Sequence, residues 1–159
     1  MYDIQLRRMP ERTLVSVNRH VDAAGAGAFF DDAFTRLRAA GPGLEGIAGV
    51  PFVVYYGEVS DDSDGPIELC RAVDGERASA GRATAGLERR VEPAHDEAFI
   101  RLAKRDVGWP AMLPAFEALE RWTHEHRRKP AGAPRQLLIA DQRTATPDTL
   151  VCDLTVPLR

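Results

Sequence analysis

Two carboxylates stand inside otherwise apolar runs: Glu68 in Ile67-Glu68-Leu69-Cys70, and Asp153 in Val151-Cys152-Asp153-Leu154-Thr155-Val156. Side chains of a strand alternate between the faces of its sheet, so the apolar row of each run fixes where its acid points. Cys152, Leu154, Val156 and Leu158 form one such row, which turns Val151, Asp153 and Thr155 to the other side. Ile67 and Leu69 likewise leave Glu68 and Cys70 on the open side, and Ile100 and Leu102 leave Phe99 and Arg101 there. The segments 52–56 and 136–141 are apolar on both faces. A match between the two halves of the chain assigns Val53 and Tyr55 to the open side of one, and Gln136 and Leu138 to that of the other. The resulting face, with Glu68 and Asp153 beside Tyr55 and Phe99 and with Ser16 and Asn18 nearby, suits a flat apolar ligand carrying positive charge. Aromatic faces attract cations by about 0.5–2 kcal/mol per contact, and a half-buried carboxylate adds a directional partner. A plainer reading stands beside it: both acids are strand-surface groups paired with Arg101 or Arg71, and Tyr55 belongs to the core.

Other chemistries fail on spacing. Asp61-Asp62-Ser63-Asp64-Gly65 suggests a calcium loop, but Arg71 stands where the bidentate Glu is required. His124 and His126 are two apart on a helix and diverge, so they cannot share a metal; no metal or other cofactor is expected. Cys70 has no histidine placed to activate it as a nucleophile. No glycine-rich phosphate loop or nucleophile elbow is present.

The elements that position these residues repeat. Residues 2–8 and 12–20 read as strands turned at Met9-Pro10-Glu11, and a helix runs from about Ala23 to Ala40, with Phe30, Ala33, Phe34 and Leu37 at helical spacing before Gly41-Pro42-Gly43. Strands follow at 52–56 and 67–73. Beyond a linker at 74–82 the order returns: strands near 84–91 and 97–102, a helix from about Pro110 to His126 with Met112, Phe116, Leu119 and Trp122 on one stripe, and strands at 136–141 and 150–158. This predicts one α+β domain over 1–159, with pseudo-repeats at about 1–75 and 83–159. Their antiparallel strands share one sheet, both helices cover one face, and the other face is open.

The 159 residues carry 21 Lys plus Arg against 24 Asp plus Glu, a net charge of -3 that gives no grip on a nucleic-acid backbone. The basic run Arg127-Arg128-Lys129 closes a helix, where it complements the dipole. No apolar run approaches the roughly 20 residues that span a bilayer. Two cysteines are too few for a disulfide scaffold, so a reducing cytoplasm is expected.

Four segments in order, Pro51–Gly57, Asp64–Cys70, Gly108–Phe116 and Pro134–Leu154, resemble the GyrI-like (gyrase-inhibitor-like) effector-binding family, whose domains occur on MerR- and AraC-type transcription regulators and as free proteins. The resemblance covers essentially the whole chain. It implies duplicated β-α-β-β (SHS2-like) modules with a ligand groove between the halves, and multidrug binding of hydrophobic, often cationic molecules by aromatic walls and an acid. Carried over by motif, Glu68 and Asp153 match acidic positions, Tyr55 and Phe99 are wall residues, and Trp109 closes one end. Many relatives read Pro-Arg-Glu where this chain has Pro134-Arg135-Gln136, which removes a charge credited with cation recognition.

The resemblance and the missing helix-turn-helix favour a small-molecule binding or sensing protein with no DNA-reading part. Hydrolysis of strained cyclopropane-type natural products is the enzymatic alternative, with Tyr55 and Glu68 handling water. Inhibition of a gyrase-like protein partner is a third, without specific support in the residues.

Overall fold

The computed structural model describes residues 2–59, 62, 65–75 and 86–159. The chain is an α+β fold of antiparallel strands with two helices, in the order β1 (Gln5–Met9), β2 (Arg12–Val21), α1 (Ala23–Arg38), β3 (Phe52–Tyr55), β4 (Gly65–Val73), β5 (Glu88–Glu92), β6 (His95–Ala103), α2 (Leu113–Glu125), β7 (Arg135–Leu138) and β8 (Leu150–Leu158). The expected repeat is therefore present as strand, strand, helix, strand, strand, twice. The acidic turn at 61–64 and the segment 74–82 fall mostly outside the described residues.

The chain divides into two compact units, one of Pro10–Ala94 and one of Met1–Met9 with His95–Arg159. Within the first, the strand order is β3-β4-β2-β5; within the second it is β1-β6-β8-β7. The short opening strand of each repeat thus pairs in the unit built by the other repeat: Arg7 lies opposite Glu97, and Arg90 opposite Leu14. This exchange brings residues distant in sequence onto one sheet face.

In the unit of Pro10–Ala94, α1 begins at Asp22, whose side chain accepts the Gly25 amide hydrogen at 2.7 Å. Its buried stripe is Phe29, Ala33 and Leu37, one helical turn apart. Phe29, rather than the expected Phe30 and Phe34, is the fully buried aromatic. Arg71 reaches from β4 to the Leu37 and Gly41 carbonyls at the helix end, so Arg71 marks the helix-covered face. In the other unit, α2 has Pro114 in its first turn, where no intrahelical N–H is lost. Its Met112, Ala115, Ala118 and Leu119 pack on Ala98, Ile100, Leu102, Cys152, Leu154, Val156 and Leu158. Each large apolar side chain fully buried there contributes about 1.5–3 kcal/mol. Among the described residues no helix is long and apolar enough to cross a membrane.

Candidate functional site

Glu68 sits on β4 opposite Asn18 and Val54, and Asp153 on β8 opposite Arg101 and Leu137. Alternation therefore reads both acids correctly: each lies on the face away from its unit's helix. Both are buried rather than surface acids, at 2% and 0% exposure.

Around Glu68, Arg90 makes a fork, Nη1 to Oε2 at 2.5 Å and Nη2 to Oε1 at 2.9 Å. Ser16 Oγ donates to Oε2 at 2.7 Å and the Tyr56 hydroxyl to Oε1 at 2.9 Å. Four donors thus fill the carboxylate's acceptor positions. Burial alone would raise this carboxyl, but the hydrogen bonds from Arg90 and Ser16 and the Arg90 charge outweigh it and bring it from 4.5 to about 2. Burial and the bond to Glu68 push the Tyr56 phenol from 10.0 to about 12. Cys70 shares this face, wholly buried, with Arg90 Nη2 3.9 Å from its sulfur.

Around Asp153, Arg101 forks through Nε to Oδ1 at 2.7 Å and Nη2 to Oδ2 at 2.9 Å, and Arg7 Nη1 donates to Oδ2 at 2.7 Å. Arg7 also bonds Glu97 through Nε at 2.6 Å, and its guanidinium lies 4.1 Å over the Phe99 ring centre. Burial raises the Asp153 carboxyl, and the two arginines more than reverse that, leaving it below the usual range.

The edge residues stand elsewhere than expected. Tyr55 pairs with Ile67, on the helix side of its sheet, and Tyr56 is the tyrosine beside Glu68. Gln136 pairs with Leu154 and Leu138 with Cys152, again on the helix side, and Gln136 hydrogen-bonds the Cys152 thiol. Burial raises that thiol from 9.0 to about 12. The reason is the same in both strands: β3 and β7 have three buried residues in a row, so apolarity cannot choose their register. Gln136 in place of an acid therefore leaves the charge of the Asp153 face unchanged. Trp109 lies in the turn ahead of α2, 41% exposed, and none of the hydrogen bonds or ring contacts described for the Asp153 cluster involves it. Phe99 is where alternation puts it. The pairing of Asp153 with Arg101 is the one foreseen in the plainer reading, whereas Glu68 takes Arg90 rather than Arg71. Arg7 and Arg90, the partners that sequence reading missed, share a signal: each stands three residues before a proline, in Arg7-Arg8-Met9-Pro10 and Arg90-Val91-Glu92-Pro93.

Among the described residues no cluster of His, Cys, Asp and Glu could hold a metal ion. The arrangement offers instead fixed charges, hydroxyls and an aromatic ring on strand faces.

The architecture is a known one. No family model and no curated protein matches the sequence, but solved structures share the fold. The C-terminal domain of EcmrR superposes with a TM-score of 0.73 at 18% identity, over 99% of this chain and 96% of that one; in a complex of EcmrR with DNA the match spans 56% of the EcmrR chain. A hydrolase from Listeria innocua matches with a TM-score of 0.71 at 9% identity, over 99% and 92% of the two chains. SAV2435, solved bound to tetraphenylphosphonium, matches with a TM-score of 0.62 at 14% identity, over 99% and 94%.

Proposed function

We propose that this chain is a small-molecule binding or sensing domain of the GyrI-like effector-binding kind, taking an apolar, aromatic ligand on the helix-free strand faces. The observation that carries the reading is the Glu68 cluster. A buried carboxylate with every acceptor position filled holds Arg90 and Tyr56 in fixed positions, and both remain partly exposed. Fixing long side chains in advance lowers the entropy cost of binding. The likeness to an EcmrR domain and to a SAV2435 structure holding tetraphenylphosphonium supports the same reading through fold alone.

The Tyr56–Glu68 contact also gives the hydrolase reading a specific footing, with Tyr56 in the place expected of Tyr55. It is the weaker of the two. A carboxyl held at about 2 by a guanidinium fork is a poor proton acceptor near neutral pH, where a base works best with a pKa near the operating pH.

Thermal melting of the full chain against tetraphenylphosphonium, cationic dyes, neutral planar aromatics and cyclopropane-bearing alkylators tests the proposal. A ligand at a hundred times its dissociation constant stabilises by about 2.7 kcal/mol, which is a shift of several degrees. Melting unchanged by every class sinks the binding reading. Turnover of a strained substrate, abolished in Glu68→Gln, replaces it with the hydrolase.

A further inference from the structure

We infer that the charged group each open strand face offers its ligand is a guanidinium, Arg90 in one unit and Arg101 in the other, and that the ligand carries an oxyanion (carboxylate, sulfonate or phosphate) on its apolar body. The inference rests on the small-molecule reading above and gives the ligand its charge. It also reverses the sign that the two acids suggest in the sequence.

The two acids lie beneath their partners. Glu68 is 2% exposed and the side chain of Arg90 38%; Asp153 is fully buried and Arg101 44% exposed. A cationic ligand approaching Glu68 meets a carboxylate whose four acceptor positions are already taken by Ser16, Tyr56 and the Arg90 fork. To reach it, the ligand must break two charge-assisted hydrogen bonds and leave Arg90 without a counter-charge. An oxyanion needs no such exchange. Arg90 spends two of its five N–H donors on Glu68 and Arg101 two on Asp153, so each keeps donors and charge at its exposed surface. The planar fork, already oriented by its buried carboxylate, matches carboxylate, sulfonate or phosphate geometry.

Charge on the Asp153 face agrees, whereas the strands of the Glu68 face carry one negative charge in excess through Glu88. Along the strands around Asp153, Arg7, Arg101 and Arg135 stand against Asp153 and Glu97, an excess of one positive charge. Around Glu68, Arg90 matches Glu68 and Arg12 matches Glu92. The acid of that face outside these pairs is Glu88, exposed at the start of β5 opposite Ser16. Glu68 and Asp153 are then positioning residues, and Phe99, already stacked under Arg7, is an apolar wall on its face. The two units reach this arrangement from strands that are not equivalent, β5 for Arg90 and β6 for Arg101, so it stands on two separate sets of contacts.

Tetraphenylborate and tetraphenylphosphonium have the same shape and opposite charge, and calorimetric titration of the full chain with each, in sodium buffer, tests the sign of the charge; naphthalene-2-sulfonate in the same titration supplies the acceptor oxygens that the borate lacks. The borate is expected to bind about tenfold tighter or more. Arg90→Met and Arg101→Met should each weaken borate binding on their own unit about tenfold, so that one tight site remains where the natural chain has two, and Arg90→Met should let the phosphonium reach Glu68. Circular dichroism checks each fold. Where Arg90→Met does not fold, Glu68→Leu with Arg90→Met removes both partners at once and must lose the borate site of that unit, keeping the one at Arg101, without gaining the phosphonium. Phosphonium binding as tight as borate in the natural chain, or borate binding unchanged in both arginine variants, overturns the charge assignment and leaves small-molecule binding standing. No binding of the borate, the phosphonium or neutral triphenylphosphine oxide overturns both.

Discussion

Glu68 and Asp153 occupy the same place in the two repeats, and the two units satisfy them by different chemistry. The strand pairings make the residues around them equivalent: Arg90 corresponds to Arg7, Ser16 to Phe99, Asn18 to Arg101, and Tyr56 to Ile139. One arginine and two hydroxyls hold Glu68, whereas two arginines, one of them stacked on Phe99, hold Asp153. What the repeats keep in common is a buried carboxylate on the last strand, capped by an arginine from the exchanged opening strand. What varies is the remainder of the shell. A carboxylate taken from water needs its lone pairs met, and either set of donors meets them. The invariant part gives rigidity, and the variable part sets what each face shows to a ligand.

The sharpest way to break the comparison is to remove the acid from each unit. Asp153→Ala leaves Arg101 without its buried counter-charge and Arg7 with Glu97 alone, and should cost about 4 kcal/mol, a fall of roughly 12 °C in melting temperature. Glu68→Gln is expected to cost about 2 kcal/mol, because the Ser16 and Tyr56 hydroxyls can turn to donate or accept while Arg90 moves into solvent. Equal losses, measured by denaturant unfolding, would mean the hydroxyls and the second arginine do the same work. The acid limb tests the same point. Glu68 has a folded pKa of about 2 against 4.5, so its contribution is complete above about pH 4.5 and is lost as pH falls toward 2. Asp153 is lowered too, so Glu68→Gln should flatten this limb without abolishing it.

Gln136→Glu separates the two faces of one unit. The side chain is 4% exposed, pairs across to Leu154 and bonds the Cys152 thiol. A carboxylate there is buried on the apolar face of Leu154 and Cys152, and about 3 kcal/mol of stability should be lost near neutral pH. The loss should vanish at low pH and grow as pH rises past the unfolded value of about 4.3, because the folded pKa is raised. Affinity for tetraphenylphosphonium should not rise. A stable variant that gained phosphonium binding would return position 136 to the ligand face.

That position shows what was legible in the residues and what was not. The faces of β4, β6 and β8 follow from alternation because one row in each is apolar enough to be committed, as with Cys152, Leu154, Val156 and Leu158. β3 and β7 carry no such contrast. Matching the repeats kept their registers consistent with each other while shifting both by one residue, which moved Tyr56 and Leu137 off the open face and put Tyr55, Gln136 and Leu138 on it. Arg7 and Arg90 were illegible for another reason. They sit on five-residue charged strands that read as solvated surface, and Arg7 lies 146 positions from the acid it caps. Strand exchange between repeats is a tertiary fact, and only the shared spacing of an arginine three residues before a proline hints at it.

The smallest effect isolates a single hydroxyl. Tyr56 is 54% exposed, so Tyr56→Phe removes one hydrogen bond to a carboxylate still held by Arg90 and Ser16, and about 0.5 kcal/mol should be lost. Its titration reports more than its stability. The phenol stands at about 12 through burial, the hydrogen bond to Glu68 and the charge of Glu68. Glu68→Gln removes the charge and alters the bond, so ultraviolet titration should find the phenol moved back toward 10.0, held above it by burial. The raised value also means that Tyr56 stabilises the fold below about pH 10, and that this contribution is lost as pH rises toward 12. The Asp153 cluster has Ile139 at the equivalent position and no such alkaline limb of its own. Tyr56→Phe should therefore remove the phenol's share of the alkaline loss, to which the Cys152 thiol also contributes, while Asp153→Ala leaves that share in place. If both variants lose it, the phenol is answering to the fold as a whole and not to Glu68.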